Sequence, residues 1–247
     1  MKLNGAAFST SYDAEVKGRI HALELTFYKA TGGGTDSTAI IAALEDAATT
    51  LEITKNTAQG TETKVYKQLL IDLLEVSISE GGSIRAYIDG ANYVLEGTFV
   101  LSGKGAEALH NNDFYKISIK ALPDGVTGDA WALDVTTDAI SQFQYNPMRI
   151  TAGAPQYTSV ANAKYLAIPR EEFSSIDVFY KDGSRVNYDA FELSKITAGG
   201  MPLAFIVDGK IVSGGRNYYV MPVGPAQKVQ IDVTADCAVI IVNEHSL

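Results

Sequence analysis

Apolar residues recur at every second position through much of this chain, in short runs broken by Gly, Pro, Asp and Asn. Ile20, Leu23, Leu25 and Phe27 alternate closely with His21, Glu24 and Thr26, which predicts a strand. Thr31-Gly32-Gly33-Gly34-Thr35 ends it. Thr50–Thr54, Ser83–Ile88, Tyr93–Leu101 and Phe114–Leu122 read as further strands, closed in turn by signals such as Asp89-Gly90 and Pro123-Asp124-Gly125. Later runs repeat the pattern at Lys164–Pro169, Ile176–Tyr180, Asn217–Val223, Lys228–Val233 and Ala238–Val242. A hairpin of Pro202–Val207 and Lys210–Val212 is predicted around Asp208-Gly209. The residues before about Val16 read as an arm or a first edge strand.

Helical spacing is rarer. Ile40, Ile41, Leu44, Ala47 and Ala48 predict a short helix, with Asp36 or Ser37 to cap it. Tyr66, Leu69, Leu70, Leu73 and Leu74 fall at i, i+3, i+4, i+7 and i+8 and predict the strongest helix, after a polar loop at Lys55–Lys64. A weaker one is expected over Tyr188–Ile196. Many short strands with a turn every ~8–12 residues favour sandwiches or barrels over a parallel sheet. The expectation is an all-β chain of two tandem sandwiches with short helices in loops. The boundary is placed at the start of the Thr127–Pro155 stretch, giving domains 1–127 and 128–247. A faint repeat supports the division: Leu51–Asn56 leads through a turn to the Tyr66–Leu74 helix, and Ile176–Gly183 leads to Tyr188–Leu193. Ile53 and Val178 lie 125 positions apart, about half the chain.

Charge and composition narrow the function. The 247 residues carry 29 acidic against 20 basic side chains, so a basic face for nucleic-acid phosphates is not expected. The one cysteine, Cys237, lies in the apolar run Cys237–Val242 and reads as a buried thiol, which leaves no disulfide within the chain. The start, Met1-Lys2-Leu3-Asn4-Gly5, turns polar at once, so no signal peptide and synthesis in a host cytoplasm are expected. His21, His110 and His245 share no metal-ligand spacing. No Gly-x-Ser-x-Gly elbow occurs, and Thr31–Asp36 lacks the Lys-Ser/Thr of a phosphate loop. Carboxylates such as Asp72, Glu75, Asp89, Glu96, Asp113, Asp134 and Asp138 form no diagnostic pair, while Asp124, Asp182 and Asp208 suit turns. No catalytic and no cofactor-binding residue is predicted; a metal site is left open, with calcium the candidate. Trp131, Phe143, Tyr145 and Asn217-Tyr218-Tyr219 offer aromatic surface, which keeps a carbohydrate-binding or adhesion module as an alternative. A β-sandwich hydrolase is the more distant reading.

With Arg19-Ile20-His21-Ala22-Leu23-Glu24-Leu25 opening the first half, Leu51-Glu52-Ile53 before a turn and helix, and Val178–Gly183 echoing it, the chain resembles the double jelly-roll major capsid proteins of tailless, membrane-containing icosahedral phages of the corticovirus type. The resemblance covers about Val16 to Val242. It implies two jelly rolls per chain, homotrimers forming pseudo-hexagonal capsomers, and a place in a virion shell with other shell proteins over a lipid bilayer. Some relatives bind calcium, but no carboxylate motif here carries that over. The chain is short for such a protein and leaves little room for tower loops.

Overall fold

The computed structural model describes residues 2–3, 11–110, 112–154, 156–200, 205–211 and 217–247. The chain divides into two compact units. The first takes Met1–Phe143, Pro202–Ser213 and Ser246–Leu247; the second takes Gln144–Met201 and Gly214–His245.

In the first unit the strands are β1 (Lys2–Leu3), β2 (Ser11–Val16), β3 (Arg19–Ile20), β4 (Ala22–Ala30), β5 (Thr50–Thr57), β6 (Gly60–Leu69), β7 (Ser83–Asp89), β8 (Asn92–Val100), β9 (Ser102–Gly103), β10 (Glu107–Ala108), β11 (Phe114–Lys120) and β12 (Val126–Leu133). Helices α1 (Ala39–Asp46) and α2 (Leu70–Ser77) interrupt them. The division falls within β13 (Ser141–Ile150). There follow β14 (Tyr157–Ser159), β15 (Ala163–Pro169), β16 (Phe173–Tyr180), β17 (Arg185–Asp189), α3 (Ala190–Gly200), β18 (Phe205–Val207), β19 (Lys210–Ile211), β20 (Tyr218–Pro222), β21 (Ala226–Val233) and β22 (Cys237–Ser246).

Both units have jelly-roll topology. Lettering eight strands of the first unit B to I in chain order gives β1, β2, β4, β5, β6, β8, β11 and β12. One sheet then runs B-I-D-G (β1-β12-β4-β8) and the other C-H-E-F (β2-β11-β5-β6). The second unit repeats this with β13-β22-β15-β20 and β14-β21-β16-β17. The same order of hydrogen-bonded neighbours therefore occurs twice, which is the two-Greek-key wiring of a jelly roll. Ile53 and Val178, matched in the sequence, both sit in strand E of their unit.

Alternation sets each face. β2 reads exposed–buried three times over, and on β11 the inward side chains are Tyr115, Ile117 and Ile119. Phe27, Phe99, Leu23 and Leu25 fill the first core completely buried. Leu166, Ile168, Phe173, Ile176, Val178 and Ile231 anchor the second. On the first core, Gly97 lets α2 sit close to β8: a Cβ there would come 2.6 Å from Leu74 Cδ1.

Several expectations are corrected. Lys55–Lys64 is not a loop: it supplies the arms of the β5–β6 hairpin, with Thr57 opposite Gly60. Its threonines are β-branched and favour extended backbone. The predicted helix from Tyr66 begins only at Leu70, because Val65 pairs with Ile53 and Leu69 with Thr50 on strand β5. Tyr66 and Leu69 are exposed, so their helical spacing was accidental. Tyr188 and Asp189 end β17, and the helix starts at Ala190 behind a capping box: Glu192 N–H donates to Asp189 Oδ1 (2.8 Å) and Asp189 N–H to Glu192 Oε2 (3.2 Å). The α1 helix forms where expected, with Thr38 as its first flanking residue. Asp36 accepts from Thr38 N–H at 2.9 Å without capping the helix itself.

Residues 128–143 group with the first unit, since β12 pairs with β4 from Val126 to Leu133. The Asp208-Gly209 hairpin is present over Phe205–Ile211, and β18 extends the first unit's sheet parallel to β7. Pro202–Ala204 and Val212 lie outside the described residues, as do positions 4–10 of the expected arm.

Candidate functional site

The first unit gathers polar groups around Glu107. This carboxylate is buried, and both its oxygens are engaged: Lys55 Nζ donates to Oε1 and the Tyr115 hydroxyl donates to Oε2. Burial, and then the carboxylate beside it, push the Tyr115 hydroxyl far above the usual phenol range. Alternation along β11 turns Tyr115 inward, and β10 brings Glu107 over it. Nearby, the Arg19 guanidinium donates to Asp138 (2.6 Å) and Asp134 (3.2 Å), and to the carbonyls of Val135 and Thr137. A depression of about 280 Å³ beside Lys55 and Glu107 also meets His110 and Asp138. Lys55 and Tyr115 are both committed to Glu107, so the arrangement ties strands together and presents no free nucleophile.

The three histidines are scattered. His21 Nδ1 lies 2.9 Å from the Gly105 carbonyl, His110 borders that depression, and His245 Nε2 lies 3.3 Å from Gln144 Oε1. Of the named carboxylates, Asp134 and Asp138 meet at Arg19, while Glu96 takes Arg85 and Tyr87. Among the described residues no group of three or more His, Cys, Asp or Glu is placed to hold a metal ion. Cys237 is half-buried, and burial, then Glu172 and Asp236, raise its thiol pKa, which disfavours the reactive thiolate. Among the described residues no helix is long and apolar enough to cross a membrane.

Most of the aromatic residues that offered surface in the alternative reading are packed inside. Phe143, Tyr145, Tyr218 and Tyr219 are all buried, and Arg170 covers the Tyr219 ring at 4.4 Å. Only Trp131 of that set is exposed. In their place, the outer face of the β14-β21-β16-β17 sheet carries Tyr157, Lys228, Phe179 and Arg185. Lys228 Nζ lies 4.5 Å from the Tyr157 ring centre and 5.0 Å from that of Phe179. The two rings meet edge-on at 5.5 Å, and Arg185 reaches Phe179 at 5.6 Å. Arg185, aided by Asn187, holds the Asp177 carboxyl below its ordinary range in spite of burial. Ile176 and Val178 point inward, so alternation alone puts Phe179 outward; which strands flank it was not legible.

No protein-family model matches the chain, and no curated protein matches it. Among solved structures, the major capsid protein P2 from bacteriophage PM2 is similar over 99% of this chain and 96% of that one, at 14% identity and a TM-score of 0.53. Hazelnut (Corylus avellana) vicilin and Bacillus subtilis oxalate decarboxylase are each similar at 9% identity. They cover 94% and 96% of this chain and 74% and 70% of theirs, but their TM-scores of 0.24 and 0.25 carry no weight. At 14% identity the likeness to the phage protein is one of fold, and the fold it shares with this chain is an all-β sandwich of jelly-roll type.

Proposed function

We propose that this chain is a non-enzymatic structural subunit of an icosahedral phage shell, resident in the virion. The observation that carries the reading is the jelly-roll strand order found twice in one chain. It is supported by a fold likeness to a phage major capsid protein that spans nearly all of both chains. Each unit of the chain supplies one roll. Three chains then give six similar rolls in a pseudo-hexagonal capsomer, a closed arrangement that tiles a shell. The partners are further copies of the chain and other shell proteins, next to a viral membrane.

Light scattering on the purified chain tests this. The expected mass is three times 26.4 kDa, and a chain that stays monomeric at high concentration overturns the reading.

A further inference from the structure

Among the described residues most sheet edges are short or covered. The terminal strands β1, β3, β10, β14 and β19 have two or three residues each. The longer terminal strands β2 and β20 keep their apolar side chains buried: Tyr12, Ala14 and Val16 on the one, Tyr218, Tyr219, Val220 and Met221 on the other. Strand β17 is different. It closes the β14-β21-β16-β17 sheet with five residues, Arg185-Val186-Asn187-Tyr188-Asp189. It contains no proline and no lysine, and it pairs with β16 without a bulge. Those are the usual devices that keep a second chain off an edge.

The register with β16 sets Val186 beside Val178 on the inward face. Val178 is 1% exposed, whereas Val186 is 37% exposed. The difference comes from the edge, since among the described residues no strand lies beyond β17. Phe191, in the first turn of α3 and just past the same strand, is 69% exposed. Open backbone groups and uncovered apolar side chains therefore coincide at one strand.

We propose that β17 pairs with the β17 of a second copy of this chain, antiparallel about a two-fold axis at Asn187. What points to a second copy is the symmetry of the strand's own sequence. This pairing sets Val186 opposite Tyr188, Arg185 opposite Asp189, and Asn187 opposite itself. Apolar meets apolar, and no like charges face each other. Arg185 keeps its bond to Asp177 within its own chain. The drive therefore comes from the edge itself: the open N–H and C=O groups of two strands find partners, and the Val186 side chains are covered. Five residues a side make a weak contact, one that forms where copies are concentrated. It is isologous, so it differs from the head-to-tail contacts of a ring. It stands without the shell reading, and within a shell it joins one ring to the next.

The test uses the full chain carrying Cys237→Ala, which leaves no other thiol. Directly opposed residues of an antiparallel pair lie about 4.5–5.5 Å apart at Cα, a span that a disulfide bridges. Asn187→Cys, oxidised at high protein concentration, is expected to give a covalent dimer. Arg185→Cys puts its two thiols about 14 Å apart in the same pairing and is expected to stay unlinked. Dimers from Asn187→Cys alone support the proposal. No dimer from Asn187→Cys, equal linking at both positions, or linking only to a different protein overturns it. Val186→Lys is read without oxidation, by sedimentation equilibrium, with its folding checked by circular dichroism. A lysine at an open edge keeps its ammonium in water but obstructs a second strand, so pairing is expected to weaken roughly tenfold or more. If Asn187→Cys misfolds, unchanged association of folded Val186→Lys overturns the proposal. Rings that form normally while Asn187→Cys stays unlinked overturn the two-fold contact and leave the shell reading standing. A chain both monomeric and unlinked overturns both.

Discussion

Replacing Glu107 with alanine is expected to destabilise the protein by about 3–5 kcal/mol, the range for removing one partner of a buried ion pair. The carboxylate is 4% exposed and joins two strands that the sequence separates widely, through Lys55 on β5 and Tyr115 on β11. Without it, the Lys55 ammonium and the Tyr115 hydroxyl both lose their acceptor in a site closed to most solvent. Tyr115→Phe should cost less, about 1–2 kcal/mol, because Glu107 keeps its lysine. Urea unfolding followed by fluorescence measures both. A Glu107→Ala protein as stable as Tyr115→Phe would mean that the cluster relaxes into water.

Phe27→Ala is expected to cost a similar amount, about 3–5 kcal/mol, by a different mechanism. The ring is fully buried on the central strand β4. Its neighbours in the sheet are Leu95 on one side and Gly128 on the other. Glycine has no side chain to move into the space, so a cavity remains. The urea midpoint should fall with little change in slope, since the same surface is exposed on unfolding. A loss below about 1 kcal/mol would mean that the first core collapses around the gap.

How much of this was legible in the sequence follows from the range of the forces involved. Strand alternation from Phe114, expected to run to Leu122 and ending at Lys120, and the Asp89-Gly90 turn are local signals, and both elements formed. The duplication was visible only as an order of elements, because the rolls share wiring and inward apolar positions, such as Ile53 and Val178, and little else. At Tyr66 strand pairing with β5 overrides the helical spacing. Nothing local marks β12 as the partner of β4, so the sequence carries no sign that residues 128–143 group with the first unit. The surface was the least legible part. Tyr157, Phe179 and Lys228 are far apart in the chain, and only the order of strands brings them together. Alternation turns one tyrosine of the pair Tyr218–Tyr219 inward, but both are buried, and the Arg170 side chain that covers Tyr219 comes from a distant segment.

In the proposed shell unit each chain contributes two jelly rolls to a closed ring. Electron cryo-microscopy of the assembled chain tests it most directly. Capsomers of three chains with six similar rolls around the axis are expected. Particles whose chains contribute a single roll to the ring would contradict it.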